Sequence, residues 1–221
     1  MPANGYAMLC HSMGINSLEL IKAASTKPFG FLAHWPSRGI GGHCIPKDTD
    51  FSRKQAERQG IALLENLLRA AIELNTRMPF YAVDMLAEGL NEVRRPVNGS
   101  SIAVLGVAYK PDIDDTRETP VGPMVCEVLR RKGNVRIFDP FVDPTRASKD
   151  LKVHRNLFVR SLDEALEGAD GAILATAHSE WTRTKVVRTL NKYDVKVLVD
   201  GQNALKLDPK KTSFVYKGIG R

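Results

Sequence analysis

Between Ala62 and Arg95, apolar side chains recur at i, i+3/i+4 almost without a break. Leu64, Leu67, Leu68, Ala71, Ile72, Met78, Ala82, Met85, Leu86, Leu90 and Val93 hold the stripe, with Asn75 in phase among them. A helix over these 34 positions spans roughly 50 Å, longer than a small domain is wide. Pro79 is expected to kink it locally rather than end it, because the stripe resumes in phase. The competing reading is two ordinary helices divided at Pro79. A helix of this length joins domains, packs against a second copy of itself, or both. A homodimer through the 62–95 helix is therefore the expected partner arrangement.

After Pro96-Val97-Asn98-Gly99 the pattern changes to alternating strands and helices. Ser101–Tyr109 is a continuous apolar run of the kind that buried parallel strands have. A helix over Thr119–Lys132 stops at Gly133, and Val135–Phe138 is the next strand, closed by Asp139-Pro140. A short helix at Leu162–Leu166, a strand at Gly171–Thr176, a helix at Thr182–Asn191 and a strand at Val195–Asp200 follow, with a peripheral strand at Phe214–Tyr216. Upstream, Ala3–Met13 reads as a helix ending at Gly14, and Ser17 caps a short helix over Leu18–Ala24. The expected fold class is α/β: a helical segment with one very long helix, then a small doubly wound, Rossmann-like parallel sheet. The expected division is a helical, dimerising segment at 1–96 and a ligand-binding α/β domain at 97–221. Ligands on such sheets gather at strand carboxyl ends, here after Tyr109, Asp139, Thr176 and Asp200.

Ser25–His43 is too long for a mere connector, and loops of that length are usually functional. It runs into Gly39-Ile40-Gly41-Gly42-His43-Cys44-Ile45-Pro46-Lys47-Asp48. Three glycines in four positions admit backbone shapes that a Cβ forbids and let a ligand approach the main chain. Pro46 suits the first turn of a helix, which places Cys44 just ahead of a helix N-terminus and beside Lys47. Both neighbours favour the thiolate, the form that attacks carbonyl carbon, over an inert buried cysteine at a tight turn. His43 beside Cys44 has no second pair at ligand spacing, so no metal is expected.

Composition removes several alternatives. The net charge of +7 is scattered in pairs at expected helix ends without interleaved aromatics, so no nucleic acid is expected. No apolar run is long enough for a bilayer and no basic-then-apolar leader is visible, so no membrane is expected and the cytoplasm is the expected location. Three scattered cysteines suit a reducing compartment. No GxGxxG opens a helix after a strand: the first sheet strand leads into Leu105-Gly106-Val107-Ala108-Tyr109-Lys110, with a single glycine.

Gly39–Asp48, Gly106-Val107-Ala108-Tyr109-Lys110, Asp115-Thr116-Arg117-Glu118, Phe138-Asp139-Pro140 and Asp200-Gly201, in this order and spacing, resemble the UDP-glucose/GDP-mannose dehydrogenase family of nucleotide-sugar 6-dehydrogenases. The GGHCIP loop is nearest to the branch acting on UDP-N-acetylhexosamines, while Lys47 is more usual in the UDP-glucose branch. The resemblance implies an NAD-dependent, four-electron oxidation of the sugar C6 hydroxymethyl to a carboxylate, through a thiohemiacetal and a thioester. It implies Cys44 as the nucleophile, Asp48 as the group that positions or activates water, and Lys47 as a nearby cation. Gly41 and Gly42 would pack against the sugar, Tyr109 and Lys110 would contact the nucleotide-sugar, and Arg117 would reach the NAD phosphates. Asp112–Asp115 offers Lys110 and Arg117 a competing local ion pairing.

Two departures shape the expectation. The family begins with an NAD-binding domain and a helix bearing a catalytic lysine and asparagine, and this chain is expected to start downstream of both. The family's Asp-Gly-Arg-Asn reads Asp200-Gly201-Gln202-Asn203 here, leaving a neutral amide, Gln202, as the candidate substrate contact. Losing an ionic hydrogen bond costs roughly 1.5–3 kcal/mol. The expected function is the UDP-sugar-binding, cysteine-bearing part of such an enzyme, inactive without an NAD domain that a separate chain could supply. The alternative is a non-catalytic nucleotide-sugar-binding or assembly module.

Overall fold

Strand burial alternates between two faces of one sheet. The computed structural model describes residues 2–221 and contains five parallel strands: β1 (Ser101–Leu105), β2 (Asn134–Phe138), β3 (Gly171–Leu174), β4 (Val197–Asp200) and β5 (Val215–Gly218), in the order β2-β1-β3-β4-β5. Ile102 and Val104 of β1, Ile173 of β3 and Val199 of β4 face one core; Ala103 and Leu105, Leu174 and Leu198 face the other. The first core is covered by α4 (Ala62–Glu92) and α5 (Val121–Arg130), the second by α7 (Leu162–Leu166) and α8 (Arg183–Lys192). This is the doubly wound sheet expected. Its order reverses between β1 and β3, since β2 lies on one side of β1 and all later strands on the other.

β1 and β3 end earlier than their apolar runs suggest. Gly106 turns out of the strand with φ +79°, and a Cβ there would overlap the Thr176 carbonyl, so the tips of β1 and β3 close on each other. α6 (Pro144–Leu151) was not anticipated; Asp143 caps it by accepting from Arg146 N and Pro144 starts it.

The helical segment consists of α1 (Pro2–Ser12), α2 (Ser17–Ala24), α3 (Cys44–Arg58) and α4. Asn16, not Ser17, caps α2, accepting from Leu18 N. Ser17 instead donates its hydroxyl and its N–H to Gly220 O, tying α2 to the end of the sheet domain. α4 runs through Pro79 without interruption and stops three residues before Arg95. Its two halves differ: Met78, Ala82, Val83, Met85, Leu86 and Leu90 are buried against the sheet, while Leu63 is 87% and Leu67 67% exposed. The early half pairs with α3 through the Gln59-Gly60-Ile61 turn, braced by Arg53 to Glu65 at 3.5 Å. Among the described residues no helix is long and apolar enough to cross a membrane.

Candidate active site around Cys44

Three distant elements grip the segment that leads to Cys44. Asn4 of α1 accepts from Ser37 N at 2.9 Å. Arg38 N donates to Gly201 O, just beyond β4, at 2.8 Å. Asn75 of α4 binds both polar groups of Ile40, accepting from its N–H at 2.7 Å and donating to its carbonyl at 3.0 Å. An otherwise unpaired stretch of backbone is thereby satisfied and held. Neither asparagine carried a sequence signal; Asn75 merely kept phase with an apolar stripe.

Gly41 then meets the β1 side of the molecule. A Cβ on it would stand 2.6 Å from Glu118 O and 3.1 Å from Tyr109 Cβ, and Gly42 lies against the Tyr109 ring. Gly41, Gly42 and Tyr109 are thus brought together by direct packing. Lys110 extends over the Tyr109 ring, its Nζ 5.8 Å from the centroid, and is exposed.

Cys44 is the first residue of α3 rather than the residue before it, with His43 at the N-cap position making no side-chain cap. The first N–H groups of a helix lack intrahelical partners and carry its positive end, so the thiol sits at a favourable place for negative charge. Cys44 is exposed, as are Lys47 and Asp48. Asp48 is one turn further along α3, on the same face as Cys44. Lys47 Nζ lies 2.8 Å from His43 Nε2, so the histidine is engaged locally.

Arg117 is committed to Asp115, with Nη2 2.6 Å from Oδ2 and Nε 3.0 Å from Oδ1. The hydrogen bonds to Asp115 raise the guanidinium above its ordinary value. Gln202 is half-buried, and its Oε1 accepts from Ala177 N at 3.0 Å. A cavity of about 460 Å³ lies behind the loop between α3, α4 and α5, lined by Ile40 of the loop, Pro46 of α3 and Glu118 before α5; neither Cys44 nor Tyr109 lines it.

The turn that carries Tyr109 and Lys110 is fixed from both ends. Asp139 Oδ2 accepts from Val107 N at 2.7 Å, Ala108 N at 3.2 Å and His178 Nε2 at 3.0 Å, while Oδ1 accepts from Phe141 N at 2.9 Å. Burial pushes the Asp139 carboxyl up, but His178 and the Val107 and Phe141 N–H groups outweigh it and leave it lowered. His178 Nδ1 accepts from Asp112 N at 3.0 Å, which leaves the proton on Nε2 for Asp139. A fixed platform at the β1 tip, facing an exposed thiol at a helix N-terminus, can hold a ligand and present an electrophilic carbon to sulfur.

Comparison with known proteins agrees with this fold. Residues 2–77 match the central domain of the UDP-glucose/GDP-mannose dehydrogenase family, and residues 103–207 match its UDP binding domain. A UDP-N-acetyl-D-mannosamine dehydrogenase of Pyrococcus horikoshii is 36% identical over 99% of this chain and 47% of its own length. A UDP-N-acetyl-D-glucosamine 6-dehydrogenase of Pseudomonas aeruginosa is 31% identical over 89% of the chain and 46% of its own. Among solved structures, the UDP-D-ManNAc dehydrogenase of Pyrococcus horikoshii superposes with a TM-score of 0.81 at 33% identity, covering 99% of this chain and 47% of that one. A UDP-glucose dehydrogenase of Pyrobaculum islandicum gives 0.79 at 28%, covering 99% and 46%. The chain spans about half the length of the curated relatives it matches.

Proposed function

Because the chain belongs to the UDP-glucose/GDP-mannose dehydrogenase family, we propose that it forms the part of a nucleotide-sugar 6-dehydrogenase that binds the UDP-sugar and supplies the thiol. The observation that carries this reading is the packing of Gly41 and Gly42 on Tyr109 immediately before the exposed Cys44. That contact makes one surface out of the β1 tip and the thiol-bearing helix start.

In the proposed chemistry, Tyr109 and Lys110 hold the nucleotide-sugar and the sugar C6 lies towards α3. Cys44 Sγ, as thiolate, adds to a C6 aldehyde; the C–S bond forms as the carbonyl electrons move to oxygen, which takes a proton from water at this exposed site to give a thiohemiacetal. At the thioester level, water attacks the same carbon, the C–S bond breaks and the thiolate leaves with the acid released. Asp48 accepts the proton of that water, and Lys47 supplies positive charge nearby. The described residues do not fit NAD by themselves. One glycine, Gly106, occupies the first strand's turn where a dinucleotide needs several, and Arg117 is already paired with Asp115. The two hydrides, lost from alcohol to aldehyde and from thiohemiacetal to thioester, would go to NAD on a separate NAD-binding chain, so no oxidation step is assigned to this chain.

Calorimetry with UDP and UDP-N-acetylmannosamine tests the reading. Binding is expected in wild type and about tenfold or more weaker in Tyr109→Ala and Lys110→Ala; no binding of either ligand would sink it. The chain alone is expected to reduce no NAD. A separate NAD-binding chain should restore turnover, and Cys44→Ser should abolish it again. The neutral Gln202, bound to Ala177 N–H, favours a second reading as a non-catalytic binding module, which predicts binding with no restored turnover.

A further inference from the structure

A buried cation without a counter-charge stands where the sheet order reverses. Arg38 Nη2 donates to Ala108 O and Tyr109 O beyond β1, at 3.2 and 3.4 Å, and to Thr176 Oγ1 beyond β3 at 2.7 Å. Its stem lies on Gly201 beyond β4. The residue is 1% exposed and its Nε has no acceptor. Burial alone pushes its pKa down to about 9, with no carboxylate to hold it up.

Buried charges are normally paired or engaged by a ligand, because removing them from water is costly. Three neutral oxygens satisfy one nitrogen here and leave the charge unbalanced. Gln202 next to it is neutral and spends its Oε1 on Ala177 N–H. Ligands on open α/β sheets gather at the point of reversal, and Arg38 spans that point. We propose that Arg38 is the cation that draws the diphosphate of a nucleotide ligand to the β1/β3 crevice, its charge being balanced only in the complex. This inference rests on the nucleotide-sugar reading and adds to it an affinity-setting residue on the cysteine loop itself. Exposed Lys110 acts on the same anion from the solvent side.

The test compares UDP affinity in wild type, Arg38→Met and Arg38→Lys, with circular dichroism and thermal melting of each. Arg38→Met is expected to bind UDP about tenfold or more weakly while melting no lower than wild type, because an unbalanced buried charge has been removed. Arg38→Lys keeps the charge without the guanidinium Nη2 that ties three oxygens, and should recover affinity to within about threefold. A merely structural tether would be lost in both variants alike, so equal weakening in the two overturns the proposal. Unchanged affinity in Arg38→Met overturns it as well, while UDP binding by wild type still stands. Wild type that binds no UDP overturns both readings. Should Arg38→Met not fold, the Arg38 Nε–H resonance of wild type decides: a shift on saturation with UDP supports the role, and an unmoved signal overturns it.

Discussion

A methyl group on Gly41 would stand 2.6 Å from the Glu118 carbonyl oxygen and 2.9 Å from Pro120 Cδ, closer than side chains tolerate. Neither neighbour is a flexible side-chain end, so the loop must move. Gly41→Ala is expected to cost about 1–3 kcal/mol in urea unfolding and to separate the thiol from the β1 tip. A variant with wild-type stability and UDP affinity would show that the loop has slack. Asn75 gives a complementary case. Replacing it by alanine removes two hydrogen bonds to Ile40 from a half-buried position that water can partly reach. The expected loss is about 1–2 kcal/mol, read by the same denaturation.

At the scale of elements, α4 performs two tasks along its length. From Met78 onward it is core, while before that Leu68, Ile72 and Leu74 are half-buried and Leu63, Leu64 and Leu67 are exposed. We propose that a second copy of the chain covers this half. The double variant Leu63→Glu/Leu67→Glu should sediment as a monomer where wild type sediments as a dimer, with little change in melting temperature. A monomeric wild type at micromolar concentration would remove the proposal. The contact of α4 with α5 has a pH signature. Arg130 holds the Glu127 carboxyl down to about 2 from an ordinary 4.5, Arg131 assists against the opposing effect of burial, and Arg131 also reaches Asp84 of α4 at 2.5 Å. A carboxyl lowered by folding stabilises the fold above its unfolded value and loses that contribution as pH falls through the folded one. Thermal stability should therefore drop between about pH 4.5 and 2. Glu127→Gln should cost about 1–2 kcal/mol at neutral pH, discounted for the exposed Arg130, and flatten the drop in that window.

For the molecule as a whole, the sequence disclosed the sheet and the reactive residue but little of what holds them together. Continuous apolar runs and the helical stripe identified all five strands and α4, because burial on two faces or on one leaves a pattern in the chain. α6 was missed since Ala147 and Leu151 are its only buried apolar residues; the Asp143-Pro144 start signal was there to be used. Cys44 and Tyr109 stood in recognisable motifs. Arg38, Asn4 and Asn75 did not, because a side chain that binds one particular backbone group far along the chain leaves no periodic mark. The anchors of the cysteine loop have a kinetic corollary. They join partners 33, 35 and 138 residues apart, and such long-range closures come late in chain collapse. On dilution from urea, helical ellipticity should return before affinity for the nucleotide does. The reactive centre would thus be the last part of the protein to mature.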